Sequence, residues 1–205
     1  RPRTGSTSLY KLFQSHLNSH VCFLEPFNPK WTLYYNGHGI DFNYINHFDQ
    51  LNKVLCKTLY GCGHYPVRSV GLLEKAFTEW MSTYFDKVVV LDRRDKQAQA
   101  ESLLINQDSG LDWHEPKIYD VSKINRKRLE DQINHMIQTS ETMRQVAEDK
   151  SWPVFYYEDL YYGDFQPIFD ELGIVYNKEY YDEYLNISNK YRIGNMDIKN
   201  HKTLI

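Results

Sequence analysis

The chain has no apolar run approaching the length a membrane-spanning helix needs, and no signal-peptide pattern opens it. It also lacks an excess of charge of either sign. A net charge of −3 over 205 residues gives no global electrostatic case for nucleic acid or an anionic membrane. An anionic ligand must therefore be held by a local cluster. Cysteines are few and odd in number: Cys22, Cys56 and Cys62, with no repeated pair spacing. A Cys56–Cys62 bridge, or a metal site with His64, is open to them. Reduced thiols in a cytoplasmic protein fit the count better than a disulfide framework. There is no internal repeat and no low-complexity tract. What is present is a 41% hydrophobic chain able to bury one sizeable core, which predicts a single domain over 1–205. The 17 tyrosines either line a cleft or cover the core edge with their hydroxyls wet.

The stretch richest in chemistry comes first. Arg1-Pro2-Arg3-Thr4-Gly5-Ser6-Thr7-Ser8-Leu9 packs two guanidinium groups, a glycine and four hydroxyls together. Leu9, Leu12, Phe13 and Leu17 follow at helical spacing. A glycine-containing, hydroxyl-rich turn feeding a helix N-terminus suits a phosphate, because the first N–H groups lack intrahelical partners and the dipole favours an anion. An ordinary Ser/Thr N-cap accounts for the same residues equally well. A phosphate loop of this kind ordinarily follows a buried strand, and none precedes Arg1. The expectation is that a few N-terminal residues, including that strand, are missing here, with a removed leader left open.

Further along, Val21–Leu24 reads as a strand, stopped by Glu25-Pro26-Phe27-Asn28-Pro29. Glu25 thus falls at a strand's C-terminal end, where ligand sites form in open α/β sheets. Lys53–Leu59 reads as a second strand, and residues 73–84 as an amphipathic helix. Lys87–Asp92 is the clearest strand, its β-branched run suggesting burial on both faces of a parallel sheet. A helix is expected from about Gln97 to Asn106, and a long one through Leu129, Ile133, Met136 and Met143. Its opening Arg126-Lys127-Arg128 reads as a solvated face. Val154–Tyr157 reads as a fourth strand ending in Glu158-Asp159. The helix through Phe165, Ile168, Phe169 and Leu172 is closed by Gly173. This alternation gives an α/β class with a mostly parallel sheet.

A second basic feature follows the Val-rich strand: Arg93-Arg94, with Ser102 eight positions after Arg94. Alone, Arg94 would be expected to pair with Asp92 or Asp95 at the surface. In combination, Pro2 to Thr7 resembles the 5′-phosphosulfate loop of the sulfotransferases that use 3′-phosphoadenosine 5′-phosphosulfate (PAPS). Arg94 through Ser102 resembles their 3′-phosphate motif. Arg93-Arg94-Asp95-Lys96, then Gln99-Ala100, Ser102 and Trp113, with the later Tyr157-Glu158-Asp159-Leu160 and Leu172-Gly173-Ile174, is similar to the bacterial trehalose 2-sulfotransferase branch. The likeness covers roughly residues 1–175, in the right order.

That resemblance implies a three-layer, P-loop-like α/β fold with a central, mostly parallel sheet flanked by helices. It implies transfer of a sulfuryl group from PAPS to the hydroxyl of a carbohydrate or small metabolite, releasing 3′-phosphoadenosine 5′-phosphate, with no metal. Thr4, Gly5, Ser6, Thr7 and Ser8 would cradle the 5′-phosphate. Arg3 stands where many sulfotransferases carry Lys and would stabilise charge on the sulfuryl group rather than donate a proton. Arg94 and Ser102 would bind the 3′-phosphate. Glu25 is the candidate base for the acceptor hydroxyl, at a spacing from Arg3 that the family gives only approximately. Glu25 as a turn cap or ion-pair partner competes with that role, as do His38, His47, His64 and His114, of which His64 is the best rival. Lys57, on the second strand, either reaches the site or extends into solvent.

Two other classes fit less well. A P-loop kinase or nucleotide-binding protein would need the Gly-Lys-Ser/Thr ending that the opening loop lacks. A non-catalytic relative would bind the nucleotide without turnover.

Overall fold

The first helix, α1 (Ser6–His16), follows from its apolar spacing: Leu9, Leu12 and Phe13 are all buried. The structure, a computed structural model, describes residues 5–17, 21–24, 54–57, 78–79, 81–108 and 124–181. Within these, α1 is followed by β1 (Val21–Leu24), β2 (Val54–Lys57), β3 (Val90–Asp92), α2 (Lys96–Asp108), α3 (Arg126–Asp149), β4 (Val154–Tyr156), α4 (Tyr157–Tyr161) and α5 (Gln166–Leu172). β1 pairs with β2 in parallel, from Val21 opposite Val54 to Leu24 opposite Lys57. β3 pairs with β4 in parallel, from Val90 opposite Val154 to Asp92 opposite Tyr156. Parallel pairing, with α2 and α3 lying between β3 and β4 in the chain, is the α/β arrangement the alternation implied.

Two expectations need correction. The third strand is confined to Val90–Asp92, and Lys87–Val89 lead into it without pairing. Val90 and Asp92 are buried while Leu91 is half-buried, so burial alternates instead of covering both faces. Tyr157 does not end the fourth strand; it begins α4. Both changes shorten strands.

The described residues fall into two units, one made of Arg1–Arg94 and Ile137–Tyr176, the other of Asp95–Met136 and Asn177–Ile205. In the first, Met81, Val90, Met143, Ala147 and Trp152 form a buried cluster, with Phe85, Val88, Val146 and Val154 packed around it. Phe169 of α5 is fully buried and meets Phe13 of α1 at 4.9 Å between ring centroids. It also meets His16 at 4.7 Å and Tyr176 at 4.7 Å. Such aromatic contacts, with the burial of Leu12, Leu160 and Ile168, hold α1, α4 and α5. α1 also runs alongside β1 and β2.

In the second unit, Asp95 caps α2 by accepting the Ala98 N–H at 2.8 Å. Asn125 caps α3 in the same way, through the Arg128 N–H at 3.0 Å. The Arg128 guanidinium then donates to Asp108 at 2.5 Å and to Gln107 at 2.9 Å, tying the start of α3 to the end of α2. Arg126, Lys127 and Arg128 are nonetheless exposed, as a solvated face should be. Among the described residues no helix is long and apolar enough to cross a membrane.

Candidate functional site

The opening turn is built around Gly5. It occupies the N-cap of α1 in the left-handed region, φ 76° and ψ 4°, which glycine alone adopts without strain. A glycine N-cap offers no capping side chain. Ser6, Thr7 and Ser8 therefore form the first turn instead of preceding it, and the ordinary Ser/Thr N-cap is not what is seen. The first intrahelical bond runs from the Leu9 N–H to the Gly5 carbonyl at 3.0 Å. The N–H groups before it belong to a helix start, where no intrahelical acceptor exists.

The turn is held from outside by α4. The Tyr161 hydroxyl donates to the Gly5 carbonyl at 2.7 Å. Tyr157 and Tyr161, one helical turn apart, stack with centroids 4.4 Å apart and planes 21° from parallel. Their rings lie where a side chain on residue 5 would go. A Cβ there would fall 2.7 Å from Tyr161 Cε2 and 2.8 Å from Tyr157 Cδ2.

The same short helix holds the segment after β3. Glu158 accepts the Arg94 backbone N–H at 3.0 Å and lies 3.9 Å from Arg93 Nε. Asp159 accepts both terminal nitrogens of Arg94, at 2.5 and 2.6 Å. The guanidinium of Arg93 lies 4.8 Å from the centroid of the Tyr157 ring, and that of Arg94 lies 4.0 Å from that of Tyr156. The hydrogen bonds between the two side chains raise the Arg94 pKa and hold Asp159 below its ordinary value. Arg94 thus pairs with an aspartate of α4, while Asp95 caps α2 and Asp92 takes another partner. Asp92, buried at the end of β3, accepts the Ser140 hydroxyl at 2.9 and 3.1 Å.

Three stretches singled out in the sequence therefore meet at α4 or belong to it: the opening turn, Arg93-Arg94 and Tyr157-Glu158-Asp159-Leu160. No protein-family model, curated protein or solved structure matches this chain.

Of the expected site residues, Gly5, Ser6, Thr7 and Ser8 occupy the cap and first turn of α1. Arg94 stands just after β3, and Ser102 is on α2, half-buried. Arg3, Thr4 and Glu25 lie outside the described residues, as do His38, His47, His64, His114 and Trp113. Lys57 ends β2. The Tyr157-Glu158-Asp159-Leu160 string enters the sequence reading through the resemblance alone, and Tyr161 falls just outside it. The available signal was the spacing of four between Tyr157 and Tyr161, which becomes visible only once that stretch is read as helix.

Chemically, the cluster offers backbone donors at a helix start and two guanidinium groups. The carboxylates of Glu158 and Asp159 balance the two arginines, so attraction for an anion rests on donor geometry and not on surplus charge. Among the described residues no group of three or more His, Cys, Asp or Glu side chains is placed to hold a metal ion.

Proposed function

We propose that the protein is a PAPS-dependent sulfotransferase acting on the hydroxyl of a carbohydrate or small metabolite. The observation that supports this reading is the double attachment of α4, to Gly5 through Tyr161 and to Arg93-Arg94 through Glu158 and Asp159. It brings two stretches resembling the family's phosphate-binding motifs onto one short element. The parallel α/β arrangement accords with the three-layer, P-loop-like fold that this reading entails.

In the proposed reaction, Glu25 takes the proton of the acceptor hydroxyl, whose oxygen attacks sulfur in line. A new S–O bond forms as the S–O bond to the 5′-phosphate breaks, and 3′-phosphoadenosine 5′-phosphate leaves. Arg3 and the first turn of α1 stabilise the charge that grows on the leaving oxygen. Arg94 and Ser102 take the 3′-phosphate, which requires Arg94 to share or release Asp159. The cofactor supplies an activated sulfuryl group, and the protein supplies placement and electrostatics.

Isothermal calorimetry of 3′-phosphoadenosine 5′-phosphate against ATP–Mg²⁺ tests this reading. The bisphosphate should bind, and Arg94→Ala should weaken it about tenfold or more while barely touching adenosine 5′-phosphate. Binding of ATP–Mg²⁺ with no response to the bisphosphate would favour a nucleotide-binding protein of the kinase type. Bisphosphate affinity without PAPS consumption across a panel of sugars and phenols would mark a non-catalytic binder.

A further inference from the structure

Gly5 is locked from two directions, and both locks come from α4. Its carbonyl receives the Tyr161 hydroxyl at 2.7 Å, in addition to the Leu9 N–H at 3.0 Å. The space beside its Cα is closed by the stacked rings of Tyr157 and Tyr161. The φ of 76° at this residue fixes the angle at which the chain enters α1, and hence the direction in which the first-turn N–H groups point. Tyr161 is itself held in place by an edge-on contact with buried Phe165, centroids 5.1 Å apart. Tyr157 is flanked on another side by the Arg93 guanidinium. The rigid partners of Gly5 thus extend into the core in one direction and to the arginine segment in the other.

We infer that Tyr161, with Tyr157 stacked on it, is a positioning residue for the 5′-phosphate turn, acting through Gly5 without touching the ligand. This rests on the sulfotransferase reading. The hydroxyl fixes the Gly5 carbonyl toward α4, and the rings hold Gly5 in a conformation that leaves the first turn of α1 preorganised for an anion. Loss of the hydroxyl alone, with the ring kept, should loosen the turn without removing the edge-on contact to Phe165.

The test uses Tyr161→Phe in the full chain, with two readouts. The first needs no ligand: amide exchange at Leu9, whose N–H bonds the same Gly5 carbonyl, should quicken in the variant, while exchange across Met143–Ala147 stays as in wild type. The second is calorimetry with adenosine 5′-phosphate and adenosine 3′-phosphate. Tyr161→Phe should weaken the 5′-phosphate about tenfold, the scale of one well-placed hydrogen bond, and leave the 3′-phosphate unchanged. Equal weakening of both nucleotides, or unchanged exchange at Leu9 in the variant when wild type binds, overturns the inference and leaves the sulfotransferase reading standing. A wild type that binds neither nucleotide overturns that reading and removes the ligand role of Tyr161 with it. Should Tyr161→Phe unfold, Tyr157→Leu, which breaks the stack and spares the hydrogen bond, is read by the same two measurements.

Discussion

Asp159 grips Arg94 by the fork that a phosphate would use, since a carboxylate and a phosphate present the same pair of acceptors to a guanidinium. Under the sulfotransferase reading the two compete. Asp159→Asn should then raise affinity for the bisphosphate about three- to tenfold in calorimetry, because the amide keeps the shape and drops the charge. A fall in affinity would instead make Asp159 the residue that aims Arg94. The pair also imposes a pH dependence on stability. The hydrogen bond from Arg94 holds the Asp159 carboxyl below its ordinary value of 3.8. Its contribution is complete above that value and is lost as the pH falls through the depressed one. Wild type and Asp159→Asn, compared by urea titration, should differ by a constant amount near neutrality and converge below pH 3.8. Both side chains are largely exposed, so the constant difference is small.

At the scale of elements, α3 and α5 end in the same way. At α5, Gly173 is left-handed at φ 68°, with its N–H bonded to the Asp170 carbonyl and the Ile174 N–H to that of Phe169. At α3, the Ser151 N–H bonds to Glu148 and the Trp152 N–H to Ala147, but Ser151 takes the positive φ of 56° with a Cβ in place. Ser151→Gly should therefore stabilise the protein by about 0.5–1 kcal/mol in urea unfolding, the relief of left-handed strain less the added freedom of the unfolded chain. A loss of stability would show that the Ser151 side chain contributes more than its strain removes. The same comparison explains what the sequence made readable. The end at Gly173 was legible because glycine signals it, whereas serine does not mark the end at 151. The periodic apolar faces of α1 and α3 were legible for the same local reason. α4 was not: Phe155-Tyr156-Tyr157 has strand propensity, and the helix takes over at Tyr157 where contacts to Gly5 and Arg93 hold the rings.

For the whole molecule, local pattern located the pieces of the candidate site, and long-range contact decided their partners. That Arg94 would meet Asp159 instead of Asp92 or Asp95 could not be read from neighbouring residues, because the partner is 65 positions away. The Gly5–Tyr161 bond spans more still, 156 positions. Its consequence is temporal. The opening turn leaves the ribosome 156 residues before its fixing partner. α3, whose contacts along the helix are local, has no such wait. In refolding followed by pulsed amide exchange, Met143 and Ala147 should gain protection before Leu9, and simultaneous protection would refute that order. A nascent chain cut short before Tyr161 would carry Gly5 and the first turn of α1 and still lack the hydroxyl that fixes them, so the set of that turn arises only after α4 has been made.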